Sequence, residues 1–313
     1  MKPRYLAFAL LALLAVGCDV FNPRTTTQFQ TSSSAIDVFA RNDTLLVAAG
    51  DSSLLALDIT KPKSPRELWH TNLGRECRCV IAKGAAAYVG TDSGVVVYNL
   101  PTGDRTWQYG GGTSQVVASL VADSSRLYVA TVDGVTVFDL TSPEPVKYIP
   151  MTGEPTGLAR RDSRLFVSLR DWGVRVFNIL PGDSFALDTL QLGRHNLAEG
   201  VTISTGGYCI ISQADLGMVI YYSPTPDTVR LDAAGGGFVT YASAATDGVQ
   251  EVSIYAADSS AVTVYKIINK PGEVSFAEEM WPDLSGFTRR ICLGGNGYVY
   301  TASGDAGIYI IRE

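Results

Sequence analysis

Residues 134–140 read GVTVFDL, and near-copies of that stretch return along the whole chain. GVVVYNL starts at Gly94, GVRVFNI at Gly173, GMVIYYS at Gly217 and GIYIIRE at Gly307, with looser versions SLLALDI at Ser53 and AVTVYKI at Ala261. Alternating β-branched and aromatic positions behind a small turn residue read as a β-strand. Successive openers are 41, 40, 39, 44, 44 and 46 residues apart. A period in the forties, filled with short strands and Gly/Asp turns, predicts a β-propeller with about four strands per blade.

The third unit shows the internal order best: VVASLVADS, then RLYVAT, a VDG turn, VTVFDL and EPVKYIPM. The expectation is an all-β, seven-bladed propeller of four-stranded antiparallel blades over residues 35–313. The last unit, TRRICLGG, YVYTAS and GIYIIRE, has three strands where the others have four. The spare TTTQFQ at 25–30 is therefore expected to supply the missing outer strand and close the ring, which removes an unpaired sheet edge.

The first residues follow a different logic. Lys2 and Arg4 precede YLAFALLALLAV, an apolar run of twelve residues that is short for a membrane span and suits an export signal. The run ends in AVGC at Cys18. This resembles the lipobox of bacterial lipoproteins, with Ala15 where leucine is usual. The resemblance implies a signal peptide over 1–17, lipidation of Cys18 and a membrane anchor. Residues 18–34 then hold a polar tether and the closing strand.

LYVATVDGVTVFDLTSPEPVKY in the third unit resembles an LVIVD repeat, common in exported bacterial propellers. AYVGTDSGVVVYNLPTGDRTWQY in the second is similar to a PQQ-like propeller repeat, with Gly103 and Trp107 in that repeat's glycine and tryptophan positions. Both resemblances imply the propeller, and neither implies a bound quinone or any other cofactor. A propeller hosts many unrelated functions.

Only 18% of residues are charged and the net charge is −6, with no basic patch suited to a phosphate backbone, so nucleic acid is excluded as a partner. An Asp stands beside each strand opener: Asp51, Asp92, Asp133, Asp171, Asp215, Asp258 and Asp305. Their plainest reading is hairpin-turn chemistry, in which Asp tolerates left-handed backbone and bonds nearby amides. The segments leading into each innermost strand share that face and differ from blade to blade. They nominate Arg75, Glu76, Arg78, Glu154, His195, Glu199, Arg289 and Arg290 as binding candidates at the channel mouth, facing an anionic or mixed-charge partner.

RECRC places Cys77 and Cys79 two apart, both on one side of a straight strand and at the limit of disulfide geometry. Cys209 and Cys292 read as small core residues, and Trp69, Trp107, Trp172 and Trp281 as packing between blades. The two histidines, His70 and His195, stand in different units, so no zinc-ligand set is expected. Motifs for a nucleophile elbow, a phosphate loop or a zinc protease are absent.

The leading functional expectation is a monomeric, non-catalytic scaffold, lipid-anchored at the outer membrane or cell surface and binding another envelope protein or a surface polymer. One alternative is an exported hydrolase or lactonase-type propeller with a site at the channel mouth. The other is a component that senses a small molecule or glycan.

Overall fold

The recurrent strand is the third strand of every blade. The computed structural model describes residues 25–312 apart from 51, 110–114, 193–196, 205–206, 223–227, 232–238, 247–250, 259–260, 271–272 and 281–283. The strands assemble into seven four-stranded antiparallel sheets, six of them built from four consecutive strands. The seventh joins Arg290–Leu293, Tyr298–Ala302 and Ile308–Arg312 to the N-terminal strand Thr26–Phe29. Thr26 faces Ile311 and Phe29 faces Ile308 in that pairing, so the first strand of the chain closes the last blade.

The first strand of each sheet packs against the first strands of the two neighbouring sheets. Ala35–Arg41 meets both Cys77–Lys83 and Arg290–Leu293, which completes a ring around a central channel. The architecture is a β-propeller without helices among the described residues. Each apolar cluster draws on two adjacent blades, which is why one unit cannot fold alone. Leu46, Ala48 and Leu54 of blade 1 interlock with Cys77, Val80 and Val89 of blade 2. Val47, Leu57 and Ile59 of blade 1 meet Tyr300, Ile308 and Ile310 of blade 7 in the same way. Burying one such leucine contributes roughly 2 kcal/mol.

The opener glycines have two physical reasons. Gly173, Gly217 and Gly307 take left-handed backbone with φ of 72°, 79° and 80°, whereas Asp92, Asp133, Asp171, Asp215 and Asp305 do not. The left-handed step of the turn thus falls on the glycine rather than on the aspartate, correcting the sequence expectation. Gly134 is required by contact instead: a Cβ there would lie 2.6 Å from the Ile149 carbonyl and 2.8 Å from the Tyr148 ring.

The innermost strands of blades 1 to 4 carry a bulge that the sequence pattern conceals. The register slips between Ala35 and Asp37, Cys77 and Cys79, Val117 and Ser119, and Pro155 and Gly157. Two residues then oppose one on the second strand, so the alternation of sides is broken. Cys77 therefore packs into the interface between blades 1 and 2, and Cys79 into that between blades 2 and 3. The expected placement of both thiols on one side is overturned, and the two are not joined in a disulfide. Trp172 also departs from expectation, since it stands partly exposed at a turn and covers Gly153 of its own blade.

Candidate binding surface and channel

Each innermost strand begins on one face of the disc, here the upper face, where the turns between second and third strands also lie. Backbone hydrogen bonds tie these two sets of segments together. Gly50 N donates to Ser34 O at 2.9 Å, Arg170 N to Glu154 O at 2.9 Å and Arg289 N to Ala302 O at 2.7 Å. Ala198 N crosses from blade 5 to Arg170 O of blade 4 at 2.9 Å. Side chains on this rim are therefore held by the strand framework rather than by free loops.

Glu154 and Glu199 belong to adjacent blades and are joined by Arg170, a residue that the sequence pattern did not single out. Its Nε and Nη2 each donate to the Glu154 carboxylate at 3.0 Å, and its Nη1 donates to Glu199 Oε1 at 3.2 Å. The hydrogen bonds from Arg170 hold the Glu154 carboxyl below the usual range. Arg75 Nη1 donates to Ser93 Oγ at 3.0 Å, and that hydroxyl in turn donates to Asp92 Oδ1 at 3.0 Å. Arg78 pairs with Glu76 at 3.2 Å. His195 lies outside the described residues.

Arg289 and Arg290 separate. Arg289 is exposed, with its guanidinium 6.0 Å from the centroid of the Phe287 ring. Arg290 lines the channel together with Asp37, Cys79, Ser119, Lys83 and Cys292, around a cavity of about 300 Å³. A mouth residue in the sequence reading is thus a channel residue, because Arg290 is the first residue of its innermost strand.

Asp37 is the charged centre of that channel. Its Oδ1 accepts Val38 N and its Oδ2 accepts Val80 N of the next blade, both at 2.9 Å. Loss of solvent raises its pKa to about 6, opposed by the positive charge of Arg290 and by the two amides. Burial pushes the Cys79 thiol well up, and the Asp37 charge adds to that effect. Burial likewise raises Cys292 to about 11, while its Sγ accepts Ala40 N at 3.2 Å. These thiols are protonated and inert at neutral pH. Among the described residues no three His, Cys, Asp or Glu side chains are grouped to hold a metal ion.

The enzyme alternative needed acids converging on the channel mouth. Glu154 and Glu199 instead spend their carboxylates on Arg170. Asp37, which does line the channel, was not signalled by any motif. Its only trace in the sequence is its place two residues into an innermost strand, where Cys79 and Ser119 stand in the units that follow.

No protein-family profile matches the chain, and no curated protein matches it. Solved structures do. The chain is similar to the WD40 repeats of RRP9 at 13% identity and a TM-score of 0.72, over 92% of this chain and 97% of that one. A chain of the mitotic checkpoint complex aligns at 14% identity and a TM-score of 0.75, covering 94% of each. BamB from Moraxella catarrhalis aligns at 16% identity and a TM-score of 0.60, over 91% of this chain and 87% of that one. At these identities the likeness shows the β-propeller fold.

Proposed function

We propose that the chain is a lipid-anchored envelope module of the LVIVD-repeat kind that binds another protein through its upper face. The observation that carries this reading is the rim itself. A repeating frame holds blade-specific charged side chains in fixed positions, with Arg170 bridging carboxylates of two blades. Folds of this kind present such faces as rigid platforms, and propellers in multiprotein assemblies, such as the mitotic checkpoint complex, are among its structural neighbours.

The topology adds an orientation. The strand Ile308–Arg312 leaves an upper-face turn and runs to the lower face, and Arg312 N donates to Thr25 O at 3.4 Å. Thr25 therefore lies at the lower face. The seven residues from Cys18 to Thr25 span at most ~25 Å. A lipid on Cys18 would hold the lower face toward the membrane and leave the upper face pointing away.

Two measurements test the reading. Intact mass of the membrane-extracted protein should show acyl chains at Cys18, and Cys18→Ala should release the protein from membranes. Affinity capture from cross-linked membranes should recover a partner that Arg75→Glu with Arg289→Glu, or Trp172→Ala, loses. Absence of acylation, or a partner set indifferent to every upper-face change, would remove the proposal.

A further inference from the structure

Among the described residues, exposed apolar side chains of the upper face concentrate in blades 3 to 5, with Phe287 of blade 7 also exposed there at 43%. On the upper face of three consecutive blades stand Val132 at 49% exposure, Tyr148 at 43%, Trp172 at 37% and Leu216 at 42%. Val132, Trp172 and Leu216 occupy the same turn in blades 3, 4 and 5. Tyr148 reaches that turn from the outer strand, donating its hydroxyl to Asp133 O at 3.0 Å. Its ring lies over Gly134, as the Trp172 ring lies over Gly153. Both aromatics are thus fixed by packing against a glycine, which lowers the entropy cost of using them for binding. A lone exposed apolar residue is ordinary, but an arc containing Trp and Tyr on a rigid rim is not.

Each apolar turn residue also has an acid as its sequence neighbour: Asp133 beside Val132, Asp171 beside Trp172, and Asp215 beside Leu216. All three acids are exposed. With Glu154 and Glu199, the arc carries five carboxylates against the single guanidinium of Arg170, a net charge of 1 − 5 = −4 among the described residues. Blades 2 and 7 differ, since Arg75, Arg78 and Arg289 there balance Glu76, Asp92 and Asp305. An anionic lipid surface or acidic polymer would be repelled by the arc. A polypeptide segment that presents cationic and apolar side chains together on one face matches it in both charge and apolar character.

We infer that the upper face of blades 3 to 5 is a docking arc for a Lys/Arg-bearing amphipathic segment of a partner protein, with Trp172 as its central apolar anchor. This rests on the upper-face reading above and specifies the partner's chemistry. Cations of the segment meet Asp133, Asp171 and Asp215, while its apolar side chains pack on Val132, Trp172 and Leu216. Solvent-exposed pairs of this kind are screened by salt, so binding weakens as ionic strength rises.

The test uses the full propeller chain and three short fluorescent peptides that combine Lys with Leu, Glu with Leu, and Lys with Ser on one face. Anisotropy should detect the Lys–Leu peptide most tightly. Trp172→Ala should weaken it at least about tenfold, as should Asp171→Lys combined with Asp215→Lys. Arg75→Glu with Arg289→Glu should leave it nearly unchanged, and thermal melting should show every variant folded. Equal binding of the Glu–Leu peptide, or indifference to both arc variants, would overturn the inference. In membranes, a photo-crosslinker at Leu216 should capture a partner segment rich in Lys or Arg. If capture were instead lost only in the Arg75 and Arg289 variant, the docking arc would fail while the upper-face scaffold survived. If no upper-face variant altered capture, both would fail.

Discussion

Asp37 in blade 1 and Ser119 in blade 3 occupy the same place in the repeat, and they perform the same task with different chemistry. Each follows the bulge of its innermost strand, and each accepts a backbone N–H from the innermost strand of the next blade. Val80 N donates to Asp37 Oδ2 at 2.9 Å, and Leu158 N donates to Ser119 Oγ at 3.1 Å. Cys79 stands at the same place in blade 2 and Gly157 in blade 4. The residues opposite them on the second strands are Ala48, Gly90, Ala130 and Ser168, all small. The repeat therefore fixes a backbone geometry and a space. What fills the space is free to differ, and of these four places the one in blade 1 brings a half-buried charge into the channel wall.

The equivalence can be broken most strongly at Gly157. A Cβ there would lie 3.1 Å from Gly200 Cα and 3.2 Å from Val201 N, both backbone atoms of blade 5. Giving blade 4 the blade 1 residue, Gly157→Asp, should therefore cost about 3 kcal/mol or more, from overpacking and a buried carboxylate. Urea denaturation measures it, and a cost near zero would show that the four places are interchangeable.

A smaller effect separates Asp37 from Ser119 by pH. The folded carboxyl has a pKa of about 6, above the ordinary 3.8. Because it is raised in the folded state, the folded chain holds its proton longer and stability falls as pH rises from about 4 to about 6. Above that window the cost levels off at no more than about 3 kcal/mol, from about two units at ~1.4 kcal/mol each. The native protein should lose up to that amount relative to Asp37→Asn between pH 4 and pH 7. Parallel pH profiles would show that Arg290 fully compensates the charge. Ser119→Ala should give the smallest effect, about 1 kcal/mol with no pH dependence, because water in the channel can replace one hydroxyl acceptor.

These places also mark how far the linear pattern reaches. The seven openers were legible because a third strand flanked on both sides must alternate and must begin with a turn residue. TTTQFQ was legible as the closing strand because the last unit was one strand short. The bulges were not legible, since a slip of one residue leaves composition unchanged while exchanging the faces of everything after it. Cys77 and Cys79 were misassigned for that reason, and Asp37 passed unnoticed. Glu154 and Glu199 could be nominated by their position before an innermost strand. Their bridge, Arg170, could not, because it lies in a turn that looks like six others until two blades are placed side by side.

Local alternation, turn chemistry and a period of about forty residues by themselves determined the strands, the third-strand repeat and the propeller. Those are properties of short segments, and short segments carry their own steric and hydrophobic preferences. Tertiary structure alone decided which side chains share the channel, that Arg289 and Arg290 part company, and that Val132, Trp172 and Leu216 form one acidic, apolar arc. Such groupings depend on residues some forty positions apart being brought together by ring closure, and no local preference encodes that distance.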